Sequence, residues 1–165
     1  MIFCKLCISL PLTFTQMSFT NCIYHIVFAT SRRVPVIRLD KEREVYALLF
    51  HILNKYGCFV YRIGGMPDHI HLLTTVPPTL TVANLVQKLK RESSYFIKEQ
   101  RMLPGWDGWQ DGYGCFSYNI QDVEKISNYI RGQKSHHARV SFIDEYRAWL
   151  IENGVSPDDP YFPKA

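Results

Sequence analysis

The chain lacks several sequence features that define large classes of proteins. Its five cysteines show no repeated spacing, and Cys4 and Cys7 have no second Cys or His pair at a zinc-like interval. It has no Walker-type phosphate-binding loop, no internal repeat and no apolar run as long as a membrane span. These absences argue against a disulfide framework, a zinc finger, a P-loop nucleotide hydrolase and a membrane-spanning protein. The thiols are expected to be reduced, which favours a cytoplasmic protein.

Length and composition fit one folded domain. The chain has 165 residues, of which 47% are hydrophobic, and this is enough for a real core. A net charge of +4 and a pI near 8.8 fit a polyanionic partner without identifying one. Residues 1–16 are apolar and precede Met17, which resembles a second start. A weak signal peptide is an alternative, but no Ala-x-Ala cleavage site follows. We expect an extension at 1–16, a folded domain at 17–153 and a C-terminal tail at 154–165.

Hydrophobic periodicity and turn residues predict the element order β-α-β-β-α-β. Predicted strands span residues 21–30, 58–63, 69–76 and 115–119, and the first two helices span 40–56 and 81–100. The segment from Gly64 to Asp68 is interpreted as the turn between the second and third strands. A third helix is expected to run from the Asn119–Asp122 cap through about residue 136, and a fourth spans 142–153. This order is typical of an α+β, ferredoxin-like (split β-α-β) antiparallel sheet with helices on one face and extra C-terminal helices. The other face would be available for a site.

The third strand carries His69-Ile70-His71. Residues two apart in a strand point the same way, so the two imidazoles share one face while Ile70 anchors the opposite face. Two imidazoles side by side can bind one divalent cation. The alternative is a pair of histidines on a hydrated sheet face, because short motifs match often by chance.

The third helix carries Tyr129 and Gln133, which lie one turn apart on one helical face. Tyr129 could simply be a boundary residue of the core. In combination with the histidines, however, the Gln133 oxygen is a suitable third ligand for Mg²⁺ or Mn²⁺. A phenol beside that ligand would be a nucleophile next to a metal-polarised phosphate. Attack on DNA would leave a 5′-phosphotyrosine and a free 3′-OH.

Clustered cations suggest contacts with a phosphate backbone. Arg32 and Arg33 follow the first strand, and the exposed face of the second helix carries Lys88, Lys90, Arg91 and Lys98. A solvated strand end and a solvated helix face explain the same residues equally well.

Several separated motifs, taken together, resemble one family. They are Tyr24-His25-Ile26-Val27-Phe28 with Arg32-Arg33, the segment 67–73 around the two histidines, the segment 109–117, and Tyr129-Ile130-Arg131-Gly132-Gln133. The chain is similar, over about residues 17–139, to the single-tyrosine HUH transposases of small bacterial insertion sequences, which include the REP-associated tyrosine transposases. Residues 1–16 are not part of that pattern.

The resemblance implies a metal-dependent enzyme that cleaves and rejoins single-stranded DNA. It implies His69, His71 and Gln133 as ligands of Mg²⁺ or Mn²⁺, and Tyr129 as the nucleophile. It also implies recognition of hairpins at REP-like or insertion-sequence ends, and a homodimer whose active sites are in some members shared between subunits.

Two other functions remain open from the sequence. The same element order suits RNA-binding sheets that stack bases on aromatic side chains, and a descendant of the family could bind hairpin DNA or RNA without cutting it. A related HUH nickase, such as a replication initiator or relaxase, is the third alternative, and only analogy argues against it.

Overall fold

One antiparallel sheet organises the described part of the chain. The computed structural model describes residues 19–134 and 142–156, so the predicted extension at 1–16 and most of the predicted tail lie outside them. The strands are β1 (Ile23–Ala29), β2 (Val60–Met66), β3 (His69–Thr75) and β4 (Gly114–Tyr118), in the spatial order β2-β3-β1-β4. All neighbouring strands are antiparallel, and β3, which carries the two histidines, is central as expected.

Two helices cover one face of the sheet. Helix α1 spans Glu42–Lys55 and α2 spans Val82–Glu99. Their apolar stripes pack against the inward residues of β1 and β3 in one buried core, with Leu49, Leu89, Ile26 and Leu72 among its members. The predicted β-α-β-β-α-β order and ferredoxin-like sheet are therefore confirmed.

The second face is not open, contrary to the expectation from the sequence. Helices α3 (Val123–Arg131) and α4 (Phe142–Glu152) lie over it. Ile126 and Ile130 of α3 pack with Ile23 and Leu73, while Trp149 of α4 packs on Val27. This face of β1 and β3 carries apolar residues as well as histidines. Burial of the apolar residues drives the C-terminal helices onto the sheet. The histidines consequently lie under a layer of helix.

Gly64 and Gly65 belong to β2, so the predicted turn at 64–68 is too long. The strand runs to Met66, which pairs with His69, and only Pro67 and Asp68 connect the two strands. The lack of a side chain at both glycines lets neighbouring atoms approach the β2 backbone closely. A Cβ on Gly64 would lie 2.7 Å from Ile130 Cγ2, and one on Gly65 would lie 2.2 Å from the His69 carbonyl oxygen. Gly64 therefore lets α3 sit directly against the sheet.

Helix α3 is shorter than predicted. A capping box precedes the helix: the Asn119 side chain accepts a hydrogen bond from the Gln121 backbone amide, and the Asp122 side chain accepts one from the Asn119 backbone amide. The helix then ends at Arg131, with Gly132 at its C-cap, and so it does not continue through residue 136 as a single element. Gln133 lies just beyond that end. None of the helices in the described ranges combines the length and apolar character needed to span a lipid bilayer.

Candidate active site

His69 and His71 lie side by side beneath the C-terminal helices. Their ring centroids are 5.1 Å apart, and only 1% and 3% of the two residues are exposed. Ile70 between them points into the opposite core. The strand alternation that predicted a shared face is thus confirmed, although the face is buried.

A carboxylate orients the first of these rings. His69 Nδ1 lies 2.8 Å from Asp68 Oδ1, and Asp68 in turn forms an ion pair with Arg33. Burial alone raises the pKa of the Asp68 carboxyl, but the hydrogen bonds and charges of His69 and Arg33 outweigh it, and the pKa falls below its usual value. A hydrogen bond at Nδ1 leaves Nε2 as the nitrogen that can coordinate a cation, the usual arrangement around metal-binding histidines.

A third histidine orients the second ring. His25 Nε2 on β1 lies 3.0 Å from His71 Nδ1, and the two rings stack with centroids 5.2 Å apart. Burial lowers the pKa of His25 to about 3, so its imidazole is neutral at neutral pH. If His71 is to coordinate through Nε2, its Nδ1 must carry the proton and donate to His25 Nε2. The sequence analysis quoted His25 within a motif but gave it no role.

Tyr129 and Gln133 reach the same place from the helical layer. The Tyr129 ring lies 5.8 Å from the His71 ring and 6.1 Å from the His25 ring. Its hydroxyl donates to Glu145 Oε1 on α4, and Gln133 Nε2 donates to the same oxygen at 2.9 Å. Burial, together with the hydrogen bond to Glu145, raises the pKa of the Tyr129 phenol well above its usual value. Within one chain, the structure places Tyr129 against His71 and links Gln133 to Tyr129 through Glu145, which the sequence analysis missed.

The donor set fits a divalent cation. Within residues 19–134 and 142–156, no group of three or more His, Cys, Asp or Glu side chains is arranged to hold a metal ion. The candidate set instead combines two imidazoles with an amide. Gln133 is 1% exposed, and among the described residues its Oε1 has no hydrogen-bond partner. A buried carbonyl oxygen left in this state is costly unless something binds it, so the chemistry of the site suits a cation.

A cavity gives access to the phenol. It has a volume of about 320 Å³ and lies between α3 and α4, where Tyr129, His25, Glu145 and Trp149 contribute to its wall. Tyr129 is only half-buried. The Tyr129 side chain therefore contacts the buried His71 ring and also lines this cavity.

The six predicted DNA-binding cations have different surroundings. Arg33 forms an ion pair with Asp68. Lys90 Nζ donates hydrogen bonds to the Gln110 carbonyl at 2.8 Å and to the Gly112 carbonyl. Burial lowers the pKa of Lys90 to about 8. Arg32 makes an exposed ion pair with Asp107 at 2.9 Å. The other three lie on α2, where Lys88 stands over the Tyr56 ring and Arg91 and Lys98 are exposed.

Comparison with known sequences identifies related proteins. The model of the family described as IS200-like transposases matches residues 18–133. The transposase for insertion sequence element IS200 of Salmonella typhimurium is 30% identical over 117 residues, which are 68% of this chain and 77% of that protein. The ISDra2 transposase TnpA of Deinococcus radiodurans is 25% identical over 115 residues, which are 67% of this chain and 82% of that protein.

Comparison with solved structures supports the same fold. A crystal structure of a Deinococcus radiodurans protein described as a transposase matches with a TM-score of 0.57 at 23% identity, covering 74% of this chain and 98% of that one. A REP-associated tyrosine transposase bound to a REP hairpin matches with a TM-score of 0.53 at 13% identity, covering 88% of each chain.

Proposed function

This chain belongs to the IS200-like transposase family, and we propose on that basis that it cleaves and rejoins single-stranded DNA through a 5′-phosphotyrosine at Tyr129. Membership of the family implies a DNA-cleaving enzyme. The proposal goes further by assigning the nucleophile, the metal ligands and the form of the DNA.

The chemistry follows from the residues of the candidate site. His69, His71 and Gln133 would hold Mg²⁺ or Mn²⁺, which supplies charge neutralisation at the scissile phosphate. Tyr129 attacks phosphorus, so a phenol–phosphate bond forms while the bond to the 3′ oxygen breaks. The energy of the broken phosphodiester is kept in the new one, and the reverse reaction joins a new 3′ end.

One observation carries the proposal: the Tyr129 ring lies 5.8 Å from His71, a side chain on the central strand of the sheet. Gln133 is tied to the same spot because it shares Glu145 Oε1 with Tyr129. A phenol, two imidazoles and an amide oxygen are the parts that this reaction needs, and the contacts among Tyr129, His71, Glu145 and Gln133 support their acting together.

We propose hairpin-bearing single-stranded DNA as the substrate. The REP hairpin bound to a structural relative supports this choice. Arg32, Arg91 and Lys98 are the predicted DNA-binding cations with exposed side chains, and they carry the proposed backbone contacts. Arg33 and Lys90 are bound within the protein, which favours a supporting role for both.

The competing functions have less support. A sheet that stacks RNA bases needs an exposed aromatic face, whereas α3 and α4 cover the histidine face of this sheet. A hairpin-binding protein that does not cut would share the fold, and only the reaction separates it from the enzyme.

The test is a labelled single-stranded hairpin incubated with the protein and Mg²⁺ or Mn²⁺. We expect a protein–DNA band that survives denaturant with the wild-type chain. Tyr129→Phe should abolish that band while the retarded band in a native gel stays within about threefold of wild type, since one hydroxyl contributes little to DNA affinity. A covalent band from Tyr129→Phe would exclude Tyr129 as the nucleophile.

The assembly can be tested separately. The family resemblance supports a homodimer, which light scattering should detect at about twice the chain mass of 19.3 kDa. The proximity of Tyr129 to His71 in one chain supports an active site built within a subunit. A mixture of the Tyr129→Phe and His71→Ala proteins should then remain inactive. Recovery of cleavage in the mixture would mean that subunits share the site.

A further inference from the structure

Glu145 occupies the junction between the two halves of the candidate site. It belongs to α4, is 8% exposed, and its Oε1 accepts hydrogen bonds from both the Tyr129 hydroxyl and the Gln133 amide. A carboxylate oxygen has two lone pairs, so one atom can satisfy both donors. This carboxylate therefore contacts the atom proposed to attack DNA and also fixes a proposed metal ligand.

The hydrogen bond from Gln133 fixes which branch of its amide faces Glu145. Because Nε2 donates to Glu145 Oε1, the other branch, Oε1, is left for a different partner. That oxygen is the buried atom without a described partner. A carboxylate accepts from an amide N–H and repels an amide oxygen, so Glu145 selects the orientation in which Gln133 can act as a ligand.

The hydrogen bond from Tyr129 to Glu145 supplies an acceptor for the phenolic proton. A neutral phenol must lose its proton as its oxygen bonds to phosphorus. The Tyr129 hydroxyl is the donor in its hydrogen bond to Glu145, so the phenol carries its proton in this arrangement. The Glu145 carboxylate is an acceptor that the Tyr129 hydroxyl contacts.

We propose that Glu145 is a further catalytic residue, the base that takes the proton of Tyr129 and the group that orients Gln133. The inference rests on the proposed function. As Tyr129 Oη bonds to phosphorus, its proton passes to Glu145 Oε1 and the phosphorus–O3′ bond breaks. The departing 3′ oxygen takes a proton from water, and Glu145 returns its own proton to solvent. In the joining step these transfers run in reverse.

Two substitutions separate the roles. Glu145→Gln keeps an oxygen that can accept both hydrogen bonds, but a neutral amide does not take a proton at neutral pH. It should slow adduct formation by about 10²–10⁴-fold, the usual contribution of a general base, and leave Mn²⁺ affinity within about threefold of wild type. Glu145→Ala releases Gln133 as well, so Mn²⁺ affinity, measured by titration calorimetry or electron paramagnetic resonance, should fall by about 10–100-fold.

A modified nucleophile tests the proton transfer itself. Placing 3,5-difluorotyrosine at position 129 lowers the pKa of the phenol, so less help from a base is needed. This change should restore a large part of the rate that Glu145→Gln loses, and a merely structural glutamate would give no such rescue. Glu124→Gln, the same chemical change at an exposed position on α3, is the matched control and should behave as wild type.

The outcomes separate this inference from the proposed function. Wild-type adduct formation with an equally active Glu145→Gln protein, or with no rescue by difluorotyrosine, would overturn the role as base. Unchanged Mn²⁺ affinity in Glu145→Ala would overturn the orienting role. If the wild-type protein formed no adduct, the proposed function and the base would both fail, while the Mn²⁺ titrations would still decide whether Glu145 orients Gln133.

Discussion

Substituting Gly64 by alanine tests whether the contact between β2 and α3 holds the candidate site together. The new Cβ would lie 2.7 Å from Ile130 Cγ2 and 3.0 Å from the Ile130 carbonyl oxygen. Carbon atoms in contact normally stand about 3.5–4.0 Å apart. The helix must therefore move away from the sheet by up to about 1 Å, and Tyr129, the neighbour of Ile130 in α3, moves with it.

The magnitudes follow from that displacement. Overpacking a close contact of this kind costs about 1–3 kcal/mol of unfolding free energy. Misplacing a reacting group by about 1 Å can lower a rate by about 100-fold. We expect Gly64→Ala to remain folded, to unfold at lower urea concentration, and to form the covalent DNA adduct about 100-fold more slowly. Urea unfolding and a single-turnover adduct assay measure the two effects.

Gly57→Ala is the control for general destabilisation. Gly57 has φ +74°, so alanine there strains the backbone, but its Cβ would meet only Pro77 Cγ at an ordinary 3.5 Å. It should lose about 1–2 kcal/mol of stability through the left-handed conformation and keep its adduct rate. Equal rates for Gly64→Ala and wild type, or equal losses of rate in the two variants, would refute the argument that the contact positions α3.

Two further predictions concern other hydrogen bonds. His25→Ala removes the acceptor for His71 Nδ1 and should weaken Mn²⁺ binding by about 10–100-fold in calorimetry; unchanged affinity would mean that the ring of His71 needs no such support. Tyr56→Phe removes the hydroxyl whose hydrogen bond, with help from Lys55, holds the pKa of the Glu92 carboxyl below its usual value. A depressed carboxyl pKa stabilises the fold above the unfolded pKa, and this stabilisation is lost as pH falls through the lower folded value. The variant should therefore be less stable than wild type in urea at pH 7, and this gap should shrink as pH falls below the usual carboxyl range; a gap that stays the same size throughout would contradict this explanation.

Local patterns in the sequence were sufficient to predict most of the fold. The apolar run of β1, the alternation in β3, the helical stripes of α1 and α2 and the Asn119–Asp122 cap each describe a physical preference of a short segment, and the structure contains each of them. The run Gly64-Gly65-Met66-Pro67 resembles a turn, which is why the predicted turn is too long. The role of Gly64 depends on Ile130, which is distant in sequence and becomes a neighbour only in the folded chain.

The candidate site was predictable where it depends on strand and helix periodicity, and not where it depends on packing. His69 and His71 follow from alternation in one strand. Glu145 lies in an amphipathic helix whose docking over the sheet no local pattern indicates, so its contact with Tyr129 emerges only in three dimensions. His25 likewise gains its partner through the pairing of β1 with β3.

Mapping the covalent adduct tests the central claim most directly. The wild-type protein is allowed to react with a single-stranded hairpin in the presence of Mn²⁺, the DNA is digested, and the protein is analysed by peptide mass spectrometry. We predict a 5′-phosphonucleotide attached to Tyr129, with no adduct formed by the His71→Ala protein. A nucleotide on any other residue, or an adduct on Tyr129 that forms equally well without His71, would contradict a site built from the β3 histidines and the phenol of α3.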